Sequence, residues 1–171
     1  MSENRLIIID SHSLLYRAFH ALPPLTNKKG QPTGAVYGFL LTLFKAIKDL
    51  KANYIVACFD TPKPTFRHEQ FEEYKAHRVA PPDQLISQFP ILEQVLEALG
   101  VPVFKKEGFE ADDLIATIAK QIKEDIEIYI LSGDLDNLQL VDGKIKLYTL
   151  GKGIKDSVIY DEAKVMERFG I

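Results

Sequence analysis

Short apolar runs alternate with longer segments of helical periodicity along this chain. The nearly continuous apolar runs are RLIIID (5–10), NYIVACFD (53–60), VPVFKK (101–106) and IEIYILS (126–132), and each predicts a strand buried on both faces. Between them, apolar residues recur at helical spacing over residues 13–20, 34–50, 82–99 and 110–123. Strands separated by helices predict an α/β fold with a mostly parallel sheet covered on both faces.

The last part of the chain predicts a different arrangement. KIKLY (144–148) and SVIY (157–160) indicate a small hairpin around the turn at Gly151–Gly153. Asp161 is then expected to cap a last helix that ends near Phe169.

Residues 61–83 do not fit the alternation, because this segment is polar throughout and has prolines at both ends. A connection of this length in a small domain usually carries function or is mobile. It contains the basic residues Lys63, Arg67, Lys75 and Arg78, with aromatic residues interspersed. We expect this segment to be mobile on its own and to order when a partner binds.

Composition narrows the class of protein without identifying it. The 171 residues are 46% apolar and 26% charged, which suits one folded domain over residues 1–171. No apolar run approaches the roughly 20 residues of a membrane span, and the polar start MSENR does not resemble a signal peptide. We therefore expect a cytoplasmic protein without membrane contacts. Cys58 is the single cysteine, and its apolar surroundings predict a buried thiol.

Acidic residues follow each of the four predicted parallel strands. They are Asp10, Asp60, Glu110, Asp112, Asp113, Asp134 and Asp136. Because the carboxyl ends of parallel strands meet at one edge of a sheet, we expect these seven side chains to share a cleft. Each acid alone also has a structural explanation, since carboxylates cap helices and favour the first helical turn.

A cluster of carboxylates is unfavourable unless cations neutralise it. Oxygen ligands without cysteine or paired histidines favour Mg²⁺ or Mn²⁺ over softer metals. The whole chain has 21 basic and 24 acidic residues, so its net charge is −3. When the seven acids are left out, 21 basic and 17 acidic residues remain. A moderately basic surface around an acidic site suits a phosphate backbone that approaches metal ions, and two such ions can support phosphoryl transfer.

Other reaction chemistries have little support. Ser11 and Ser13 flank His12, but neighbours along the chain point in different directions and do not form a hydrolase triad. The sequence also lacks the glycine-rich loop GxxxxGK[ST] that binds nucleotide phosphates.

Five blocks resemble a known family in order and spacing: IDSHSLLYRAFHAL, TGAVYGFLLTL, FDTPKPTFRHEQFEEYKAHR, GFEADDLIATIA and SGDLDNLQLV. They are similar to the 5′ nuclease domain at the start of bacterial DNA polymerase I, which is related to flap endonucleases. The resemblance covers essentially the whole chain and implies a PIN-like, three-layer α/β/α fold. It also implies two divalent ions that cleave 5′ flaps, nicked DNA and RNA primers.

The resemblance assigns roles to individual residues. Asp10, Asp60, Glu110 and Asp112 would serve the first metal ion; Asp112, Asp134 and Asp136 would face the second, with Asp113 nearby. Tyr16 would stack on a base, and Arg17 would meet a phosphate. Lys75 and Arg78 would line the arch at 61–83 through which a 5′ single strand passes, and Arg67 is a further DNA-binding candidate. The structural alternatives are a core position for Tyr16, a solvated position for Arg17, and a solvated helix face for Lys75 and Arg78.

Two positions depart from the family pattern, and neither removes a ligand. Ser11 stands where the family usually has glycine, and Leu135 replaces the lysine of a DKD turn. The sequence ends at Ile171, before the helix-hairpin-helix region of the family, which supplies further metal-site aspartates. We therefore expect a weak second metal site and feeble cleavage by this chain.

The sequence as a whole predicts a Mg²⁺- or Mn²⁺-dependent, structure-specific 5′ nuclease. Its expected partner is DNA with a 5′ flap, nick or 5′ end, or an RNA–DNA hybrid, with a polymerase domain in the same parent chain and no oligomer. Two alternatives stay open. One is a PIN-type ribonuclease, which needs fewer acids and no arch, and the other is a non-catalytic DNA-binding module of the same fold.

Overall fold

A computed structural model describes residues 4–71, 73–75, 80–122, 125–151 and 156–170. The strands are β1 (Asn4–Asp10), β2 (Tyr54–Cys58), β3 (Val103–Phe104), β4 (Ile126–Leu131), β5 (Ile145–Leu150) and β6 (Ser157–Tyr160). The helices are α1 (Ser11–Ala21), α2 (Gly34–Leu50), α3 (Phe66–Gln70), α4 (Asp83–Ile86), α5 (Phe89–Ala98), α6 (Ala111–Gln121) and α7 (Glu162–Phe169), and a 3-10 helix spans Leu135–Leu140. None of these helices is long and apolar enough to cross a membrane.

One sheet organises the described strands, in the order β3-β2-β1-β4-β5-β6. The first five strands in this order are parallel, and β6 runs antiparallel to β5. The centre of the sheet is β1, which pairs with β2 on one side and β4 on the other. The carboxyl ends of the five parallel strands therefore lie along a single edge.

The strand β1 shows why the sheet needs a layer on each face. Ile7 and Ile9 point into a core with α1, α2 and α5, whereas Leu6 and Ile8 point into a second core with α6. Side chains alternate along a strand, so a run of buried residues requires apolar cover on both sides. The predicted α/β/α arrangement is confirmed.

Helices α1 and α2 pack closely because a glycine faces α1. An ideal Cβ on Gly38 would lie 2.9 Å from Ala18 Cβ and 2.9 Å from Leu22 Cδ1. Such distances are shorter than any relaxed carbon contact, so the backbone approach depends on the missing side chain. This packing holds α1, which begins directly after Asp10, against the sheet.

The predicted helix at 82–99 is divided into α4 and α5. Pro90 lacks an amide hydrogen and occupies the first turn of α5, where no intrahelical partner is required. The side chain of Gln88, in the connection between these helices, accepts hydrogen bonds from the amides of Ala35 (2.8 Å) and Val36 (3.2 Å). It satisfies free N–H groups at the start of α2, which explains the interruption.

The predicted hairpin forms, and its first strand also joins the main sheet. The strands β5 and β6 pair antiparallel as expected, but β5 is in addition parallel to β4 and extends the main sheet. A short helix, α3, forms inside the polar segment 61–83, where the sequence predicted none. The third strand is reduced to Val103–Phe104. Residues 152–155, which include most of the predicted turn, lie outside the described residues.

Candidate functional site

Asp10 is the most deeply buried acid at the carboxyl edge of the sheet. It ends β1, caps α1 and is only 5% exposed. Its Oδ1 accepts a hydrogen bond from the Ser13 amide (3.1 Å), and its Oδ2 accepts one from Ser132 Oγ (2.7 Å). The two bonds fix the carboxylate between the first helical turn and the end of β4.

Asp60 and Asp134 follow the strands on either side of β1, and backbone amides orient both. Asp60 follows β2, and its Oδ1 accepts a hydrogen bond from the Ala111 amide (2.7 Å) at the start of α6. Asp134 follows β4, and its Oδ1 accepts one from the Asp136 amide (2.9 Å). Asp134 caps the 3-10 helix that follows it, whereas Asp60 is directed by an amide 51 positions away in the sequence.

The carboxylates Asp10, Asp60, Glu110, Asp112 and Asp134 lie close enough to interact electrostatically. Burial raises the pKa of Asp10 to about 7, and the charges of Asp112 and Asp60 add to this effect. Burial is also the main cause of the raised pKa of Asp112, followed by the charges of Asp134, Asp60 and, less strongly, Glu110. Negative charge therefore accumulates without full compensation at the centre of this edge.

Glu110 is buried and is turned towards cations. Its Oε1 lies 2.7 Å from Lys75 Nζ, its Oε2 accepts a hydrogen bond from the Tyr74 hydroxyl (3.0 Å), and Arg67 Nη1 lies 3.6 Å away. Lys75 has a left-handed backbone, with φ of 56°. The segment after α3 is thus folded onto the acidic edge of the sheet.

Asp113 has a specific partner that the sequence did not reveal. Arg67 makes two hydrogen bonds to it, 2.8 Å to Oδ2 and 2.7 Å to Oδ1. Asp113 Oδ2 also accepts from the Glu110 amide (3.0 Å), which completes a capping box at the start of α6. The bonds from Arg67 lower the pKa of Asp113. Asp113 therefore joins α3 to α6, and both of its oxygens are already used.

The remaining predicted site residues are distributed as follows. Asp136 is exposed in the 3-10 helix, where its amide bonds to Asp134. Tyr16 is 40% exposed on α1, with its ring 5.0 Å from that of His20, so it is not a core residue. Arg17 donates to the carbonyl groups of Leu150 (2.8 Å) and Gly151 (2.6 Å). Arg78 lies outside the described residues.

Sequence reasoning missed three polar residues that organise the acids. Ser132 Oγ donates to Asp10 and accepts from the Asp134 amide (2.9 Å). Asn137 is 2% exposed, and its Nδ2 lies 3.5 Å from both Asp112 Oδ1 and Ser132 Oγ. Tyr74 binds Glu110. Ser132 and Asn137 stand beside the predicted acids in SGDLDN, so a polar residue next to an acid at a strand end was the available signal.

The single cysteine takes no part in this chemistry. Cys58 is fully buried at the end of β2, and burial raises the pKa of its thiol to about 12. It packs in the core on the α6 side of the sheet. The predicted buried thiol is confirmed.

The donors at this edge fit a hard divalent cation by their chemistry. The acids supply oxygen atoms only. Asp10, Asp60 and Asp112 repel one another, and a bound cation would offset this repulsion. Within the parts of the chain that the structure describes, no three histidine, cysteine, aspartate or glutamate side chains are gathered closely enough to form a finished metal cage. Glu110 is paired with Lys75 instead.

A family model matches residues 5–170, and its description is the N-terminal resolvase-like domain of 5′-3′ exonuclease. The chain belongs to this 5′-3′ exonuclease family. The match includes every strand-end acid described above. The sequence-based family assignment is confirmed.

Curated relatives are DNA polymerase I proteins. The chain is 40% identical over 170 residues to DNA polymerase I of Geobacillus stearothermophilus, covering 99% of this chain and 19% of the relative. It is 44% identical over 172 residues to DNA polymerase I of Pseudomonas aeruginosa, covering 100% of this chain and 18% of the relative. The chain thus spans less than a fifth of the length of these relatives.

Solved structures support the same fold. The T5 D15 protein co-crystallised with metal ions aligns with a TM-score of 0.74 at 23% identity, covering 98% of this chain and 62% of that one. The T5 D15 flap endonuclease in a pseudo-enzyme-product complex with DNA and metal ions aligns with a TM-score of 0.71 at 23% identity, covering 98% and 61%. The fold is therefore the PIN-like fold of the flap nucleases.

Proposed function

We propose that this chain is a divalent-metal-dependent, structure-specific 5′ nuclease that hydrolyses phosphodiester bonds in DNA. The observation that carries the proposal is the convergence of Asp10, Asp60, Asp112 and Asp134 on one sheet edge in a member of the 5′-3′ exonuclease family. Capping accounts for each carboxylate singly, but it gives no reason to gather repelling carboxylates at one edge, whereas metal binding requires them together.

The metal is proposed to be Mg²⁺ or Mn²⁺, held by Asp10, Asp60, Glu110 and Asp112, with a second ion at Asp112, Asp134 and Asp136. The oxygen-only donors support the choice of Mg²⁺ or Mn²⁺, and the T5 structures that contain metal ions support metal binding by this fold. When bound, such ions activate a water molecule and stabilise the leaving oxygen of the phosphate. Asp113 is better assigned to Arg67 than to a metal ion, since the two-point ion pair with this guanidinium already compensates its charge.

Asp10 and Asp60 can hold a cation with little rearrangement. Hydrogen bonds from the Ser13 and Ala111 amides already orient these carboxylates, so little conformational freedom remains to be lost on binding. Glu110 differs, because its ion pair with Lys75 must open before Oε1 can contact a metal ion. We infer that metal binding at Glu110 releases the Lys75 ammonium group towards a substrate phosphate.

The segment with Arg67, Lys75 and Arg78 is proposed to hold the 5′ strand. Arg67 and Lys75 contact the acids from one side, so a phosphate placed over the acids would meet positive charge. Tyr16 is exposed and available to stack on a base. Arg17 is a weaker DNA-binding candidate, because it already donates to two carbonyl groups.

The proposed substrates are DNA with a 5′ flap, nick or 5′ end, and RNA–DNA hybrids. The DNA complex of the T5 flap endonuclease supports the flap. The relatives are DNA polymerase I proteins, which supports a polymerase domain in the same parent chain and a cytoplasmic function on bacterial DNA. We propose that the domain acts as a monomer.

A panel of labelled substrates tests the proposal. The protein is incubated with 10 mM EDTA or with Mn²⁺ and a 5′-flap duplex, a 3′-flap duplex, a blunt duplex and a single-stranded RNA hairpin. We expect Mn²⁺-dependent products from the 5′ flap, cut at or near the junction, with slower cleavage of the other substrates.

Three results would overturn the proposal. Preferred cleavage of the RNA hairpin would indicate a ribonuclease. Binding of the flap duplex without cleavage in Mn²⁺ would indicate a non-catalytic DNA-binding module. Equal cleavage of 5′ and 3′ flaps would remove the structural specificity.

A further inference from the structure

His12 lies in the first turn of α1, two residues after Asp10. Its ring stacks on Phe89 of α5, with centroids 4.3 Å apart, and meets Phe59 edge to face at 5.8 Å. About a third of the side chain is exposed. The imidazole is therefore held in one orientation between α1, α5 and the segment that follows β2.

The stacked ring points one nitrogen at Asp60. Nδ1 of His12 accepts a hydrogen bond from the Asp60 amide at 3.2 Å, and Asp60 Oδ2 lies 3.6 Å from the same nitrogen. A nitrogen that accepts from an N–H group carries no proton, so the imidazole proton lies on Nε2. The contact is thus a neutral hydrogen bond to the main chain of Asp60 and not an ion pair with its carboxylate.

Asp60 is consequently fixed from two directions. His12 holds its amide, and the Ala111 amide binds its Oδ1 at 2.7 Å. The other oxygen, Oδ2, lies 3.6 Å from His12 Nδ1, and the charge of Asp60 raises the pKa of both Asp10 and Asp112 at the acidic edge of the sheet. Without His12, the connection after β2 would lose the bond that sets the position of the Asp60 backbone.

We propose that His12 is a positioning residue, whose Nδ1 fixes Asp60 so that its carboxylate is directed at the proposed metal site. The inference rests on the proposed function in one respect, because it takes Asp60 to be a metal ligand. Outer partners of this kind orient ligands, and their loss commonly weakens metal binding by about 10- to 100-fold. Here the oriented group is reached through the main chain.

Two substitutions separate the acceptor from the ring. His12→Asn keeps an oxygen acceptor near the position of Nδ1 and loses the stack on Phe89. His12→Phe keeps an aromatic ring against Phe89 and loses the acceptor. The measurements are the Mn²⁺ dissociation constant from calorimetry, the melting temperature in EDTA, and hydrogen exchange of the Asp60 amide by NMR.

We expect Mn²⁺ affinity to follow the acceptor and stability to follow the ring. His12→Phe should weaken Mn²⁺ binding roughly 10-fold, should speed exchange of the Asp60 amide, and should keep a melting temperature near that of the wild type. His12→Asn should recover most of the Mn²⁺ affinity while melting at a lower temperature. On a 5′-flap substrate, His12→Phe should lower kcat more than it changes KM for DNA, because DNA contacts are unaltered.

The inference is wrong if Asn and Phe weaken Mn²⁺ binding equally, or if neither weakens it. It is also wrong if NMR of wild-type His12 shows the proton on Nδ1, a measurement that requires no substitution. Failure of the proposed function looks different: wild-type protein would then bind Mn²⁺ no better than Asp60→Ala does, whatever residue stands at 12.

Discussion

Asp10 is almost completely buried at the end of β1, where desolvation opposes its ionised form. The hydrogen bonds from Ser132 and the Ser13 amide favour the charge, but they do not offset burial. A carboxylate in this situation destabilises the fold above its pKa, unless a cation is present. Its position is better explained by binding than by stability.

We expect Asp10→Asn to stabilise the metal-free protein at pH 8. The folded pKa of about 7 lies above the ordinary value of 3.8, so ionisation of Asp10 removes stability as the pH rises through this range. Because each pKa unit corresponds to about 1.4 kcal/mol and part of the Ser132 interaction is lost, the expected gain is roughly 1–3 kcal/mol. Urea unfolding in EDTA at pH 8 and pH 5 measures it.

The gain should largely vanish at pH 5, where wild-type Asp10 is mostly protonated. Addition of Mn²⁺ should stabilise the wild type and not the variant, by mass action. If Asp10→Asn were less stable than the wild type, and by the same amount at pH 8 and at pH 5, the raised pKa of Asp10 would be contradicted.

The pair Arg67–Asp113 supports a second prediction at this scale. Asp113→Asn leaves one oxygen for the two guanidinium donors, and it should lower stability at pH 7 by about 1–2 kcal/mol. The pKa of Asp113 is lowered, so the stabilisation is present above 3.8 and disappears as the pH falls below that value. Unfolding by urea gives the difference, and limited proteolysis should cut more quickly within residues 61–83.

Asp125→Asn provides the matched control. Asp125 is fully exposed beside β4, and its contact with Lys144 is long, at 3.9 Å. It should change neither stability nor the proteolysis pattern. If Asp113→Asn behaved in the same way as Asp125→Asn, Arg67 would not hold α3 against α6.

At the scale of elements, the close packing of α1 against α2 leaves no room for a side chain at Gly38. Gly38→Ala would place a methyl group 2.9 Å from a carbon atom of Ala18 in α1 and 2.9 Å from one of Leu22, the residue that follows α1. Alanine favours a helix by up to about 1 kcal/mol over glycine, but overpacking usually costs about 1–3 kcal/mol. We expect a net loss of stability and a lower melting temperature, with cleavage also weakened because α1 carries Asp10 at its start.

Gly143→Ala is a suitable control because the added methyl group would have no neighbouring atom within 4 Å. It should leave the melting temperature nearly unchanged. A Gly38→Ala protein as stable as the wild type would show that α1 can move away from α2 without penalty.

Elements with a strong hydrophobic period were predictable from the sequence. The helix α2 satisfies its backbone hydrogen bonds locally and buries one apolar face, and the strand β1 is a continuous apolar run, so pattern alone identifies both. The division between α4 and α5 was not, because it depends on Gln88 reaching the start of α2, a contact between residues more than 50 positions apart. Long-range polar contacts leave no periodic signal.

The same distinction applies to the candidate site. The acids were found because sheet topology converts strand ends into neighbours, as with Asp10 and Asp60. The partners of the acids were missed, because nothing in the sequence shows that Arg67 of α3 meets Asp113. The sequence therefore predicted which acids lie at the strand ends, but not which side chains pair with them.

For the whole molecule, the central claim is that the carboxyl edge of the sheet is a metal-dependent nuclease site. The layers on both faces bury the sheet, and at its carboxyl edge the carboxylates of Asp10, Asp60, Asp112 and Asp134 repel one another. The cations of the segment 61–83 cover this edge from one side. At the proposed site, substrate and metal ions would therefore meet between the strand ends and that segment.

The most direct measurement is single-turnover cleavage of a 5′-flap duplex in Mn²⁺ by the wild type, Asp112→Asn and Asp125→Asn. Asp112 interacts with Asp134, Asp60 and Glu110, whereas Asp125 precedes β4 at the opposite edge, and both substitutions remove one negative charge. Asp112→Asn should slow cleavage on the order of 10²-fold or more while keeping its fold and DNA affinity, and Asp125→Asn should cleave at the wild-type rate. Equal rates for all three proteins would contradict the central claim.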